Sequence, residues 1–312
     1  MARYLITGGA GFIGSNIVDE LLKRGEQVVV IDNLATGHKE NLAGARGRIT
    51  FHEADIRDLE KIRPIFENVD YVVHLAALPS VPRSVADPVT SNAVNIDGTL
   101  NVLVAARDAK VKRLVFAASS SAYGDNPVLP RVESHVPRPL SPYALTKLAG
   151  EYYCGIFTRL YGLETVSLRY FNIFGPRQDP DSPYTGVLSI FISAYLRNQT
   201  PTIFGDGEQS RDFTFVANAV DATLRACTAK GASGKILNVG TGERHTLNET
   251  IAMLNVIFSK SVTPHYGPVR QGDVRDSHAD ITLAHECLAY NPLVRYEEGL
   301  KRTVEWYRAA LG

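Results

Sequence analysis

The 312-residue chain contains few sulfur-bearing side chains, with 3 cysteines and 2 methionines. Cys154, Cys227 and Cys287 are odd in number and widely spaced, without a Cys-x-x-Cys pair or a nearby cluster of histidines. Thiolate metal sites in proteins depend on such close spacing. We therefore interpret the three cysteines as packed core thiols and expect no metal site.

Net charge is lacking as well, because 33 acidic residues balance 33 basic ones. Proteins that bind nucleic acid or a membrane surface usually carry a basic face, so neither partner is expected. No apolar run approaches the roughly 18 residues that a membrane-spanning helix requires. The apolar start, Tyr4–Ile6, continues into a glycine loop instead of a cleavage site, which predicts a cytoplasmic protein.

A glycine-rich loop follows the first apolar segment. Arg3–Thr7 predicts a short buried strand, and the amphipathic run Phe12–Arg24 predicts a helix after the loop. The loop can be aligned as G-x-G-x-x-G from Gly9 or as G-x-x-G-x-x-G from Gly8, and Gly11 and Gly14 are common to both. The order strand, glycine turn, helix is the one that a dinucleotide fingerprint requires, since the helix N-terminus then offers free N–H groups to a pyrophosphate.

A second apolar strand, Val28–Ile31, ends at Asp32, about twenty residues after the loop. A carboxylate there would accept hydrogen bonds from the adenosine ribose and would repel a 2′-phosphate, so NAD is favoured over NADP. Asp55-Ile56 follows the next predicted strand and could receive the adenine edge. The alternative, that Asp55 is an ordinary loop aspartate capping the helix near Leu59, stays open at this point.

Tyr143 and Lys147 lie four residues apart in a predicted helix that starts with Ser141 as N-cap and Pro142 at the first position. Residues with this spacing share one helix face, so both side chains should enter the same cleft. A tyrosine that acts as a base near neutral pH must lose roughly three pKa units, or about 4 kcal/mol. One cation about 5 Å away supplies on the order of 3 kcal/mol at an effective dielectric of about 20. We therefore expect Lys147, together with a nicotinamide ring, to lower the pKa of Tyr143.

Strand and helix patterns alternate through Arg169. Strands are predicted near 3–7, 27–31, 49–52, 71–75, 113–118 and 164–169. Helices are predicted near 12–24, 59–66, 89–110 and 143–161. This alternation predicts an α/β fold with a doubly wound, Rossmann-like parallel sheet that binds a cofactor at the carboxyl ends of its strands.

The alternation breaks after Arg169, where Phe171–Gly186 is rich in Pro, Gly and Asp and predicts a loop. Later helices are predicted at 187–197, 216–228 and 247–259, and later strands near 202–204 and 235–239. We expect an NAD-binding Rossmann domain over 1–170, to which later segments return, and a smaller C-terminal, mainly substrate-binding lobe over 171–312.

The predicted helices 89–110 and 143–161 carry apolar residues beyond one face, including Val102, Leu103 and Val104. This pattern predicts a homodimer that pairs these helices. Burial of the same helices against the sheet would explain it as well.

A series of short motifs runs through the chain in order. They are Thr7–Gly14, Asp32–Leu34, Asp55–Asp58, His74–Ala77, Ser119–Gly124, Tyr143 with Lys147, Arg169–Asn172, Gly205–Gly207 with Arg211-Asp212, and Arg270–Asp273. With these motifs the chain resembles the extended short-chain dehydrogenase/reductase family, and within it the nucleotide-sugar 4-epimerases of the UDP-galactose 4-epimerase type. The similarity covers essentially the whole chain.

The resemblance implies a tightly bound, recycling NAD and a set of site residues. Those implied for the cofactor are Gly8, Gly11, Phe12, Ile13, Gly14, Asp32, Asn33, Asp55, Ile56, Leu75, Ala76, Ala77, Asn95, Ser119, Tyr143, Lys147 and Tyr170. Those implied for the UDP-sugar are Ser119, Ser120, Ser121, Tyr143, Asn172, Thr202, Phe204, Arg211, Arg270, Asp273 and Ser277.

The resemblance also implies roles. Tyr143 would take the proton of the sugar 4-hydroxyl, Lys147 would hold the nicotinamide ribose, and Ser119 would bond to the 4-oxygen. Ser121 lies on the same strand face by period two, so the catalytic serine could be either one. Arg211 and Arg270 would bind the diphosphate, since a guanidinium fork suits a phosphate.

The resemblance also favours one type of reaction within the family. Related dehydratases and decarboxylases carry acidic residues after the serine, whereas Ser120–Ala122 has none, and Asp32 argues against reductases that use NADP. We therefore expect a UDP-glucose 4-epimerase. UDP-N-acetylglucosamine and UDP-glucuronate 4-epimerases, a nucleotide-sugar reductase and a non-catalytic NAD-binding protein are the alternatives. Ser277 would leave room for an N-acetyl group, and Pro79-Ser80 replaces a basic residue that some members carry.

Overall fold

The structure, a computed structural model, describes residues 1–179, 186–269 and 274–311. The strands are β1 (Arg3–Thr7), β2 (Gln27–Asp32), β3 (Ile49–Glu53), β4 (Tyr71–His74), β5 (Arg113–Ser119), β6 (Glu164–Tyr170), β7 (Ile173–Phe174), β8 (Thr202–Phe204), β9 (Ser210–Arg211), β10 (Thr214–Phe215), β11 (Ile236–Val239), β12 (His245–Thr246) and β13 (His265–Gly267). The helices are α1 (Phe12–Lys23), α2 (Leu59–Ile62), α3 (Val81–Ala86), α4 (Pro88–Asn92), α5 (Gly98–Asp108), α6 (Pro142–Tyr161), α7 (Val187–Leu196), α8 (Val216–Thr228), α9 (Leu247–Phe258), α10 (Thr282–Leu288) and α11 (Tyr296–Leu311). Turns of 3₁₀ helix span Lys39–Ala45, Arg63–Phe66 and Ser120–Tyr123, and a π-helical turn spans Ala93–Asp97.

Within the described residues, seven strands form a parallel sheet in the order β11-β6-β5-β4-β1-β2-β3. The chain builds the sheet outward from β1 in both directions, so the strand order reverses between β1 and β4. Ligands of such sheets bind at the carboxyl ends of the strands, beside this point. The doubly wound α/β fold predicted from the sequence is confirmed. The division at residue 170 stays a prediction, and β11 shows that the later chain contributes a strand to the sheet.

Helices cover both faces of the sheet because successive strand residues point to opposite sides. Ile6 and Val30 pack in one hydrophobic cluster with residues of α1 and α8. Leu5 and Val29 pack in another with residues of α5 and α6. Strands buried on both faces account for the continuous apolar runs of the sequence.

The cysteines lie largely as predicted. Cys154 and Cys227 are buried, whereas Cys287 is partly exposed. Burial raises the pKa of the Cys154 and Cys227 thiols to about 12, so both stay protonated at neutral pH. These thiols therefore act as apolar packing groups.

The helical segment predicted near 89–110 is confirmed, with a π-helical turn inside it that the sequence pattern did not predict. The chain forms α4, the π-helical turn Ala93–Asp97 and then α5, and in that turn the Asn95 amide bonds to Leu78 and Thr146. Val102 and Leu103 are fully buried within the single chain, so burial against the sheet explains them without a partner. Helices α3, α10 and α11 also lie where the sequence pattern predicted none.

Candidate active site

A cavity of about 1470 Å³ lies along the carboxyl ends of the strands. The predicted site residues that line it are Gly8, Gly11, Phe12, Ile13, Gly14, Asp32, Asn33, Asp55, Ile56, Leu75, Ala76, Ala77, Ser119, Ser120, Ser121, Tyr143, Lys147, Tyr170, Asn172, Arg211 and Ser277. Cofactor and substrate residues proposed from distant parts of the sequence thus border one continuous space.

The glycine loop packs too closely for larger residues. Gly8 has a left-handed backbone, with φ of 72°, and a Cβ there would lie 2.8 Å from the amide nitrogen of Ala76. A Cβ at Gly14 would lie 2.2 Å from the carbonyl oxygen of Gly8. Helix α1 begins directly after Gly11, which provides no side-chain cap to the first turn. Its free N–H groups border the cavity and suit a pyrophosphate.

Asp32 sits at the carboxyl end of β2, with 7% of its surface exposed. Its carboxylate accepts hydrogen bonds from the backbone N–H groups of Ala10 (2.9 Å) and Leu34 (2.8 Å), and burial raises its pKa. Asp32 therefore holds the glycine loop and borders the cavity at the same time. Together with the uncapped helix, this placement fits a dinucleotide whose ribose meets the acid and whose phosphates meet the loop.

Asp55 does not cap the next helix. That cap is Asp58, which accepts a hydrogen bond from the Lys61 N–H (3.2 Å). Asp55 instead accepts hydrogen bonds from the Asn33 amide (2.9 Å) and from the guanidinium of Arg57, which hold the pKa of Asp55 at about 2. The capping interpretation of Asp55 is therefore wrong, and Asp55 stays at the cavity wall as an ionised group.

Tyr143 and Lys147 enter the cavity from the first turns of α6. Ser141 caps this helix by accepting a hydrogen bond from the Ala144 N–H (3.2 Å), and Pro142 occupies its first position, as predicted. Tyr143 is half-buried, and its backbone N–H donates to Ser84 Oγ (3.0 Å). The helix start thereby fixes where the phenol lies.

Lys147 is held in place by a carbonyl and an aromatic ring at the floor of the cavity. Its ammonium donates to the Ala117 carbonyl (2.7 Å) and lies 5.0 Å from the ring centre of Phe116. Burial raises the pKa of Tyr143, and the protein group that opposes this shift is Ser119, through a hydrogen bond. Burial also lowers the pKa of Lys147 to about 8. Burial within the protein therefore opposes the lowering of the Tyr143 pKa that we expect from Lys147 together with the nicotinamide ring, and that lowering stays a prediction.

The two candidate serines occupy different positions. Strand β5 ends at Ser119, and the following 3₁₀ turn removes Ser121 from the strand face on which period two had placed it. The Ser121 hydroxyl donates to Ser119 Oγ (2.9 Å), and Ser119 in turn bonds to Tyr143. Ser119 is thus the serine beside the phenol, and Ser121 orients it.

Polar groups also line the other end of the cavity. Asn172, with φ of 38°, donates its side-chain amide to the Asp212 carbonyl (3.1 Å) and to Ser277 Oγ (3.3 Å). Arg211 donates to the carbonyls of Ser210 (2.9 Å) and Arg275 (2.8 Å). These bonds connect segments distant in sequence and hold Arg211 and Ser277 at the cavity wall.

Several predicted contacts are not at the cavity. Asn95 is buried elsewhere, where its amide accepts from the Leu78 N–H (2.8 Å) and donates to Thr146 Oγ1 (3.1 Å). It therefore positions the loop after β4 and makes no contact with the cavity. Thr202 and Phe204 lie in β8, paired with β13, and do not line the cavity either. Arg270 and Asp273 lie outside the described residues.

Tyr170 borders the cavity, but its hydroxyl bonds to Thr223 Oγ1 (2.6 Å). The sequence pattern did not predict Thr223 as a partner, because Thr223 lies in α8, far from Tyr170 in the sequence. The residue therefore presents its ring or backbone to a ligand, and its phenol belongs to the core.

Two buried arginines, Arg131 and Arg169, were not predicted from the sequence as functional residues. Arg131 lines the cavity with 4% of its surface exposed. Arg169 forms two hydrogen bonds with Glu151 (2.9 and 2.8 Å), and both residues are almost fully buried. Glu151 lies four residues after Lys147 on the same helix face. This spacing could have indicated the ion pair between Glu151 and Arg169.

No helix in the described ranges is long and apolar enough to pass through a bilayer. No group of three or more His, Cys, Asp or Glu side chains in these ranges is arranged to hold a metal ion.

Comparison with known proteins places the chain in a characterised group. The model of the NAD dependent epimerase/dehydratase family matches residues 4–240. The UDP-glucose 4-epimerase of Mycolicibacterium smegmatis is 41% identical over 310 residues, which cover 98% of this chain and 98% of that protein. The match therefore includes the glycine loop, the Tyr143 helix and the later substrate-side segments.

Two solved structures superpose over nearly the whole chain. UDP-glucose 4-epimerase of Thermotoga maritima, with UDP-glucose, has 42% sequence identity and a TM-score of 0.95, covering 99% of this chain and 100% of that chain. UDP-N-acetylglucosamine 4-epimerase of Methanobrevibacter ruminantium M1, in complex with UDP-N-acetylmuramic acid, has 40% identity and a TM-score of 0.95, covering 99% of each chain. Because these two proteins are named for different sugars, the shared fold does not select one sugar.

Proposed function

Because the chain belongs to the NAD dependent epimerase/dehydratase family, we propose that it is a UDP-glucose 4-epimerase that interconverts UDP-galactose and UDP-glucose. Its cofactor is NAD. The observation that carries the proposal is that Tyr143, Ser119 and Lys147 line the same cavity that the glycine loop also borders. An acid–base pair at that place can act on a sugar hydroxyl next to a nicotinamide ring.

Each of the three residues has a defined task. When bound, NAD supplies the hydride acceptor and donor for C4 of the sugar. Tyr143 removes the proton of the 4-hydroxyl, and Ser119 holds the 4-oxygen by a hydrogen bond. Lys147 uses one N–H on the Ala117 carbonyl, so two donors remain for the nicotinamide ribose.

Inversion at C4 requires the sugar to present its other face. The 4-keto sugar rotates about the diphosphate, which Arg211 anchors, and Tyr143 then returns the proton. No net oxidation of the sugar occurs, so a bound NAD would be regenerated in each turnover.

UDP-N-acetylglucosamine is a second candidate substrate, favoured by Ser277. This small side chain lines the cavity and accepts a hydrogen bond from Asn172, where a bulky residue would take up space. An N-acetyl group therefore has room beside it, and the enzyme is expected to accept both sugars.

Incubation of the purified protein with UDP-galactose, without added cofactor, tests the function. UDP-glucose should accumulate over many turnovers. A reductase would stop after one turnover, and a non-catalytic NAD-binding protein would produce none. A parallel assay with UDP-N-acetylgalactosamine tests the second sugar, and activity on UDP-galactose alone would contradict the argument from Ser277.

Replacing Ser119 with alanine should shift the pH dependence of the reaction. The hydrogen bond from Ser119 lowers the pKa of Tyr143, so its loss raises that pKa and leaves less phenolate at a given pH. The acid limb of kcat/KM should therefore move to higher pH, and turnover near neutrality should fall roughly tenfold to a hundredfold. Ser121→Ala, which removes only the donor to Ser119, should shift the limb less. An unchanged profile for Ser119→Ala would contradict the assigned contact.

We also propose a homodimer through the α4–α5 segment and α6. Large apolar side chains are more than half exposed on these elements, namely Val89, Leu145, Tyr152, Leu160 and Tyr161. Pairing of two copies would remove them from water, whereas a monomer leaves them solvated. Sedimentation equilibrium at micromolar concentration should give twice the chain mass, and a single-chain mass would contradict the pairing.

A further inference from the structure

Arg131 is a cation at the cavity wall to which the mechanism above gives no role. It lies between β5 and α6, with 4% of its surface exposed, and it lines the cavity. Within the described residues, its guanidinium makes one hydrogen bond, from Nη1 to the Val128 carbonyl (2.9 Å), and no ion pair. Four of its five N–H donors are therefore left without a recorded protein partner in those ranges.

The backbone of Arg131 is rigidly held. Its N–H donates to the His278 carbonyl (2.8 Å), and its carbonyl accepts from the Asp280 N–H (2.9 Å) and from the Asn238 amide (2.8 Å). It is also bridged to Ala279, two residues after Ser277. The side chain is thus anchored next to the segment that carries the substrate-side residue Ser277.

A buried, unpaired arginine destabilises the fold unless an anion binds to it. Burial lowers its pKa, and Tyr123, Asp125 and Asp276 oppose that shift, although neither aspartate forms an ion pair with Arg131 among the described residues. Because a guanidinium keeps its proton in proteins, the unpaired charge persists and destabilises the fold by itself. A planar fork of donors facing a cavity matches the oxygens of a phosphate or a carboxylate.

We propose that Arg131 binds an anionic oxygen of the nucleotide sugar, as a cation additional to Arg211. This inference rests on the proposed UDP-sugar function. The anion comes from one of two sources with the same chemistry, the diphosphate of every substrate or the carboxylate of a uronic acid. Arg131 then anchors the substrate while its sugar turns.

The test measures binding by titration calorimetry on the purified protein with UDP, UDP-glucose and UDP-glucuronate. For Arg131→Met, loss of one charged hydrogen-bonding group should weaken binding about tenfold to a hundredfold. Equal weakening for all three ligands identifies the diphosphate, and weakening for UDP-glucuronate alone identifies the carboxylate. Arg138→Met is the matched control, since Arg138 is exposed on the same connection and lies outside the cavity lining.

Affinities within twofold of the unaltered protein for all three ligands would overturn the proposal. Arg131→Lys keeps the charge and loses the planar fork of donors, so it should retain part of the affinity. If circular dichroism shows that the Met variant does not fold, the Lys variant is used in its place. Binding is measured without turnover. An unaltered protein that binds UDP but interconverts no sugar would therefore overturn the proposed function and leave the result for Arg131 intact.

Discussion

Tyr143→Phe is expected to lower the turnover of UDP-galactose by about 10²- to 10⁴-fold, the contribution typical of a general base. The phenyl ring keeps the packing of Tyr143, and its backbone N–H still donates to Ser84 Oγ. Only the hydroxyl that bonds to Ser119 is removed. The change therefore isolates proton transfer from folding and binding. Turnover is followed by the appearance of UDP-glucose.

Two controls separate chemistry from structure in this experiment. The midpoint of thermal unfolding should stay within a few degrees, and the amount of NAD released on denaturation should match that of the unaltered protein. If the Tyr143→Phe protein interconverts the sugars at the original rate, the assignment of Tyr143 as the base is wrong. Equal losses of NAD and activity would instead indicate a binding defect.

Glu151→Leu is expected to destabilise the protein by about 3–5 kcal/mol, because it leaves a buried arginine without its counter-ion. Arg169 is 1% exposed and Glu151 2% exposed, and the guanidinium lies 4.5 Å from the ring centre of Tyr123. Among the described residues, Nη1 of Arg169 already lacks a hydrogen-bond partner. Water cannot reach the orphaned charge, so the loss cannot be made up by hydration.

The double variant Glu151→Leu with Arg169→Met should recover most of that loss, since it removes both buried charges and keeps apolar volume. Urea unfolding gives the free energy of unfolding for each variant. Glu298→Ala breaks the exposed Arg302–Glu298 pair and should change this free energy by less than about 1 kcal/mol. A double variant no more stable than Glu151→Leu would contradict the argument that the unpaired charge causes the loss.

Replacing Glu151 should also change the pKa of Lys147. Burial lowers the pKa of Lys147 to about 8, and the negative charge of Glu151 opposes that shift. Without Glu151, Lys147 should lose its proton at lower pH. The pair therefore stabilises the fold and helps to keep Lys147 charged above neutral pH.

Local patterns in the sequence determined the main features of the fold and of the cofactor site. The glycine loop, Asp32 at the end of β2 and the start of α6 are each marked by residue types that lie a few positions apart in the sequence. Strand alternation and turn chemistry act over the same short distances. These features were therefore predictable within one or two residues.

Tertiary structure alone decided the contacts of several side chains. Asn95 bonds to Leu78 and Thr146, and Tyr170 bonds to Thr223, although the sequence placed both residues at the cofactor. Their partners come from other elements, and helix or strand period carries no information on which elements meet. The choice of Ser119 over Ser121 likewise followed from a 3₁₀ turn at the end of β5.

The electrostatics of the site could not be predicted from the sequence either. Spacing correctly placed Tyr143 and Lys147 on one face, but the direction of the Tyr143 pKa shift depends on how much water the folded chain excludes. Burial likewise turns Arg131 from an ordinary loop residue into a charge facing the cavity. The sequence by itself thus determined which groups are present and their local order, whereas packing of distant segments decided their partners, their hydration and hence their chemistry.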